Sequence, residues 1–212
     1  MNPSLPQVAA FIRQHTHDLR NNLTGIELDA VLLTSIFPDG EAAEIVDRLR
    51  AQIRKMSASL QELSVRFAEP KPIRTTMMAR ELIQVFEMQA EPGKPEISWT
   101  ETLGDARINV DANLLAKAFK ELLVNAVKYG DGSRLSVNGA MKAGQVVFSL
   151  REPKTHPVDP GSWGRVAFVS IKRDSYGLGL WETNRIAEAN GGTIGRAFED
   201  GFLVTTISFP AE

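Results

Sequence analysis

His17, Asp18 and Asn21 are the side chains best suited to a reaction, set in the run His15-Thr16-His17-Asp18-Leu19-Arg20-Asn21-Asn22-Leu23. An imidazole can act as a nucleophile, and a neighbouring carboxylate can draw the proton from the ring nitrogen that does not attack. Asn21 follows one helical turn later on the same face. Its amide can orient a water without being modified itself. His15 and His17 cannot share a metal, because residues two apart on a helix do not converge on one ion. The plain alternative is a histidine decorating a solvated helix face.

Two further sets lie downstream. Glu121, Asn125 and Lys128 are spaced by four and three residues, so on a helix they form one row. Amide and carboxylate oxygens suit Mg²⁺, and an ammonium suits phosphate. A solvated Glu/Asn/Lys face would read the same way. Ser175-Tyr176-Gly177-Leu178-Gly179-Leu180 stands at the mouth of a helical pattern. Glycines there let backbone N–H groups approach an anion, which the helix dipole also favours, although a G-x-G alone is often only a turn.

Periodicity defines the elements that must hold these groups. Apolar or aromatic positions at Val8, Ile12, His15, Leu19, Leu23, Ile26, Ala30 and Leu33 step by three and four, the mark of one buried seam on a helix from Pro6 or Gln7 to Ile36. At roughly 100° per residue, His17 points away from that seam. Pro38-Asp39-Gly40 makes a turn, and a second helix from Glu41 to Phe67 carries Ile45, Leu49, Ile53, Met56, Leu60, Leu63 and Phe67. Two such helices form an antiparallel hairpin. One hairpin cannot bury both seams, so pairing with a second copy into a four-helix bundle is expected; cover by the rest of the chain is the alternative.

Ala68-Glu69-Pro70-Lys71-Pro72 reads as a linker, which divides the chain into residues 1–69 and 70–212. Beyond it the pattern predicts a helix over 76–88 and strands over 96–101 and 107–110. A helix capped by Asp111 then runs to Tyr129, with a core face of Leu115, Ala118, Phe119, Leu122 and Ala126. Strands over 134–141 and 145–151, an irregular stretch over 152–176, a helix over 178–190 closed by Gly191-Gly192, and strands over 193–198 and 202–209 complete a mixed sandwich. The fold class is therefore α+β.

Composition narrows the functional classes. The 212 residues are 43% hydrophobic and 24% charged with a net charge of −2, an ordinary globular balance that gives no case for nucleic acid or an anionic membrane. No apolar run reaches membrane-span length and no export signal is present, so no membrane segment is expected. The absence of Cys removes disulfides and thiolate metal sites and fits a reducing, cytoplasmic setting. The chain opens almost directly on the histidine helix, and no attached sensor domain is expected.

The run H-D-L-R-N-x-L from His17 to Leu23 resembles the phosphoacceptor box of bacterial two-component sensor histidine kinases, with Asn22 where that box usually has Pro. Glu121-Leu122-Leu123-Val124-Asn125-Ala126-Val127-Lys128-Tyr129 resembles their N box, and Gly177-Leu178-Gly179-Leu180 resembles their G2 box. Arg185-Ile186-Ala187-Glu188-Ala189-Asn190-Gly191-Gly192-Thr193-Ile194 is similar to the segment behind G2, and Phe168-Val169-Ser170-Ile171-Lys172 to the F box of the ATP lid. These matches span the chain in the family's order. The resemblance implies a dimerisation and histidine-phosphotransfer hairpin followed by a Bergerat-type ATP-binding sandwich, the GHKL fold. It assigns Asn125 to Mg²⁺, Glu121 to a metal-bound water, Lys128 and the Gly177–Leu180 turn to phosphate, Tyr129 to packing by adenine, and Lys172 to the lid. It also implies a response-regulator receiver domain as partner.

One box departs from the family. The central strand usually ends in D-x-G-x-G, whose Asp accepts from the adenine amino group; here the aligned residues are Glu152-Pro153-Lys154. Glu152 is the closer match, and Asp159-Pro160-Gly161 is a second D-x-G. Three functions follow: a histidine kinase that loads His17 from Mg²⁺·ATP and passes the phosphoryl group to a regulator aspartate; a phosphorelay phosphotransferase whose kinase-like domain does not use ATP; and a regulatory binding module without phosphoryl chemistry. Kept phosphate and metal residues favour the first, and the altered adenine box favours the second.

Overall fold

A computed structural model describes residues 5–90, 95–130, 132, 134–165 and 178–212. The chain divides into two compact units, residues 1–69 and 70–212.

The first unit is a helical hairpin, α1 (Leu5–Ile36) and α2 (Glu41–Phe67). Gly40 has φ +84°, a left-handed conformation that a residue with a Cβ would resist, and it turns the chain into α2. Glu41 and Glu44 in the first turn of α2 and Arg66 in the last complement its dipole. Thr16, Leu23 and Ala30 of α1 are buried, as are Val46, Ile53 and Phe67 of α2. The hydroxyl of Thr16 is satisfied within its own helix, donating to Ile12 O at 2.9 Å and Arg13 O at 3.0 Å.

This corrects the single seam read from the sequence. Of that row only Leu23 and Ala30 are buried; His15 is exposed, and so are Leu19, Ile26 and Leu33, seven residues apart. The apolar residues of α1 thus divide between two stripes, one facing α2 and one facing outward. On α2, Ile45, Leu49 and Met56 are exposed in the same way.

The second unit contains β1 (Thr75–Met78), α3 (Ala79–Glu87), β2 (Ile97–Thr102), β3 (Arg107–Val110), α4 (Ala112–Tyr129), β4 (Leu135–Lys142), β5 (Gln145–Pro153), α5 (Gly179–Ala189), β6 (Thr193–Glu199) and β7 (Phe202–Pro210). Five strands form one sheet in the order β2-β4-β5-β7-β6, with β2 parallel to β4 and the other neighbours antiparallel. A separate ribbon pairs β1 with β3. The expected helix over 76–88 is therefore shorter, because its first residues pair with Arg107–Val110 as a strand. The Glu81 carboxylate accepts from Met78 N at 3.1 Å and sets the helix start at Ala79.

Helices α3, α4 and α5 close over the sheet around one core. Phe86 stacks on Phe119 with ring centroids 4.2 Å apart, and Phe148 meets Phe86 edge-on at 5.4 Å. All five core positions expected on α4 are buried. The cap at Asp111 forms as expected: Oδ1 accepts from Asn113 N and Leu114 N at 3.0 Å each. Gly192 ends α5 where a Cβ would fall 2.4 Å from the Phe209 ring, so only glycine lets the chain leave there. Ahead of α5, Arg196 of β6 donates from Nη1 to Trp163 O and to Asn184 Oδ1, both at 3.1 Å, and Asn184 Nδ2 donates to Gly164 O at 2.9 Å.

Candidate functional site

Two sites emerge, one in each unit. In the first, α1 presents His17 and Asp18 to solvent, with side chains 68% and 56% exposed. Asp18 Oδ1 lies 3.4 Å from His17 Nδ1, and Asn21 Nδ2 lies 3.3 Å from the same nitrogen. Both contacts fall on Nδ1 and neither on Nε2. They are mutually exclusive: a protonated Nδ1 donates to Asp18, whereas an unprotonated Nδ1 accepts from Asn21. The carboxylate therefore favours the tautomer whose Nε2 carries the free lone pair, and the amide favours the other.

Gln14 completes this cluster and was not singled out from the sequence. Its amide donates to Asp18 Oδ1 at 3.0 Å and Oδ2 at 3.2 Å. That bond, followed by the bond from His17, holds the Asp18 carboxyl below its ordinary 3.8. Position i−4 on the same helix face was the available signal. His15 is occupied elsewhere, its ring 3.8 Å from the Phe11 ring and its Nδ1 3.1 Å from Phe11 O.

In the second unit, α4 carries Glu121 and Asn125 half-buried and Lys128 exposed. Asn125 Nδ2 donates to Glu121 Oε1 at 3.4 Å. The Lys128 ammonium lies 5.1 Å from the centre of the Tyr129 ring. Gly179, the first residue of α5, abuts Glu121: a Cβ there would fall 1.8 Å from Glu121 Oε1. The α4 row and the start of α5 thus share one locus, where helix N–H groups and polar side chains meet. Lys117 Nζ on Glu182 Oε1, 2.5 Å, ties the two helices one turn away. Leu178 is buried and Leu180 half-buried at that helix start. Lys172 and Gly177 lie outside the described residues, as does the whole Phe168–Lys172 segment.

Glu152 ends β5 with its carboxylate buried and ion-paired to the Lys154 ammonium. Lys154 Nζ also donates to Tyr129 O at 3.3 Å, at the carbonyl end of α4. Asp159 instead closes a local turn, with Oδ1 accepting from Gly161 N at 3.0 Å. Among the described residues no group of three or more His, Cys, Asp or Glu is arranged to hold a metal ion. Glu121 and Asn125 alone fit Mg²⁺ only in the way that suits a nucleotide, whose phosphates and waters supply the other ligands.

Comparison with solved structures bears on the fold. The chain is similar to full-length ShkA, solved in complex with AMPPNP, at a TM-score of 0.63 and 24% identity over 95% of this chain; the match spans 46% of ShkA, less than half its length. It is similar to the Acinetobacter baumannii histidine kinase AdeS at 0.54 and 15% identity, covering 92% of this chain and 97% of that one. A mycobacterial sensor histidine kinase, MprB, matches at 0.54 and 17% identity over 66% of this chain and 99% of its own. No family model matches the chain, and no curated protein sequence does. The chain has the fold of a histidine kinase catalytic core: a helical N-terminal region followed by the mixed sheet of the kinase ATPase domain. Among the described residues no helix is long and apolar enough to cross a membrane.

Proposed function

We propose that the chain is a phosphohistidine protein of two-component signalling that loads His17 from Mg²⁺·ATP and passes the phosphoryl group to the aspartate of a response-regulator receiver domain. The observation that carries this reading is the solvent-facing His17 with Asp18 on Nδ1. With the Nδ1 proton drawn to Asp18, Nε2 attacks the γ-phosphorus while the bond to the β-phosphate oxygen breaks and ADP leaves. Transfer reverses the roles: a receiver carboxylate oxygen attacks phosphorus and the N–P bond breaks. Catalysis rests on positioning and charge more than on new covalent chemistry.

Glu121 and Asn125 would hold Mg²⁺, which when bound neutralises charge on the phosphates. Lys128 and the backbone at the start of α5 would meet those phosphates. AMPPNP in the similar ShkA structure supports a nucleotide at this domain. The outward stripe of Leu19, Ile26 and Leu33, with Ile45, Leu49 and Met56 on α2, supports a homodimer closed as a four-helix bundle.

One observation favours a second reading, in which a phosphorylated receiver and not ATP loads His17. The Glu152 carboxylate, the counterpart of the adenine acceptor, is spent on Lys154 inside the protein. Titration with Mg²⁺·ATP separates the two. Saturable binding with labelling of His17 is expected from the first reading; no binding, with label arriving only from a phosphorylated receiver, would replace it by the second.

A further inference from the structure

We infer that Lys154 is a built-in competitor for the nucleobase, so that this residue sets how tightly the site takes an adenine nucleotide. The inference rests on the nucleotide-binding reading of the second unit. A carboxylate buried at the end of a strand must have a compensating charge or a full set of donors, and Lys154 supplies the charge. The two side chains are 14% and 9% exposed, so their bond is shielded from water and salt.

The ammonium is fixed from several directions. It bonds Glu152 Oε1 and donates to Tyr129 O at 3.3 Å, where the negative end of the α4 dipole also favours a cation. Its backbone is fixed too, with Lys154 N donating to Gly201 O at 2.9 Å in the turn between β6 and β7. Beneath the carboxylate the chain leaves no spare room: a Cβ on Gly130 would fall 3.3 Å from Glu152 Oε1 and 2.2 Å from Ala126 O. The carboxylate is thus held against the end of the helix that carries Asn125, Lys128 and Tyr129.

A base bearing an exocyclic amino group would need this carboxylate as acceptor. It would have to break a buried ion pair and offer in return a hydrogen bond in which only the carboxylate is charged. Lysine has donors only and cannot accept from that amino group. Lys154 follows Glu152 by two residues, just past the end of β5, so the competitor is encoded locally in the sequence.

The test is calorimetric titration of the full chain with Mg²⁺·ADP, comparing the native protein with Lys154→Met and with the neutral pair Glu152→Gln/Lys154→Met. The double variant leaves no buried unpaired charge and guards against loss of folding in the single one. Removal of Lys154 is expected to tighten ADP binding at least about tenfold in both variants. Affinity for Mg²⁺·tripolyphosphate, which has no base, should not change. Native binding with no gain in either variant overturns the inference and leaves the nucleotide reading intact. No binding by any of the three proteins overturns both. An equal gain for tripolyphosphate overturns it as well, because the effect would not lie at the base.

Discussion

Replacing Arg196 with Met should loosen residues 160–165 while leaving the rest of the described unit folded. The guanidinium donates from Nη1 to Trp163 O and Asn184 Oδ1, yet its Nη2 is buried with no hydrogen-bond partner among the described residues. Burial pushes its pKa down to about 10. That depression corresponds to a penalty of about 3 kcal/mol on the charged form. Two hydrogen bonds from a charged donor return about 3–6 kcal/mol. The substitution removes both sides of this balance, so the net loss should be about 0–3 kcal/mol. Between about pH 10 and the ordinary arginine value the native state holds fewer protons than the unfolded chain, so the penalty is relieved only there. The difference between native protein and variant should therefore be flat from about pH 6 to about pH 9. Locally the effect is larger, since residues 163 and 184 lose their common anchor. Hydrogen exchange at the amides of Trp163 and Arg165, which bond Pro160 O and Ser162 O, should accelerate about tenfold or more. The Glu182 amide, bonded to Leu178 O within α5, should keep its protection. Trypsin should also cut sooner after the exposed Arg165. Unchanged exchange at Trp163, or global unfolding of the variant, would refute this reasoning.

Three further outcomes are expected. Gln14→Ala should raise the Asp18 carboxyl toward 3.8, read by NMR titration; the carboxylate's contribution is present above that value and lost as pH falls through the depressed one, and in so exposed a cluster stability should barely change. An unmoved Asp18 titration would remove Gln14 from the site. Asn21→Ala should preserve exchange through His17 but slow loss of phosphate from the regulator, by up to the ~10²–10⁴-fold of positioned general catalysis; an unchanged decay rate would leave Asn21 as helix surface. Ile26→Lys, on the outward stripe and exposed in one hairpin, should convert a dimer to a monomer in sedimentation, and a native chain already monomeric at micromolar concentration would contradict the dimer.

Much of the fold could be read from periodicity alone. The hairpin, α4 with its Asp111 cap and the β4 to β7 strands carry strong, uninterrupted patterns, and their bounds agree with expectation within a few residues. β1 was missed because Thr75–Met78 is short and becomes a strand only by pairing with β3, about thirty residues on in the chain. The division of α1 into two stripes was missed for a related reason: apolar spacing shows that a face is buried but not against which partner. At the site, the Glu121–Asn125 row followed from helical spacing, whereas its meeting with Gly179 was implied only by the resemblance of the two boxes, since spacing along one helix says nothing about its neighbour. The Glu152–Lys154 pair had a local signal, two opposite charges two residues apart at the end of a strand. The Arg196–Asn184–Trp163 network had none, since its members are brought together only by the tertiary fold.

The most direct test of the account is the position of the phosphoryl group. The full chain, incubated with Mg²⁺·ATP in one arm and with a phosphorylated receiver domain in the other, should gain an acid-labile label that maps to His17. The label should vanish in His17→Gln and persist in His15→Ala and His156→Ala. A label that survives His17→Gln, or none from either donor, would contradict the central claim.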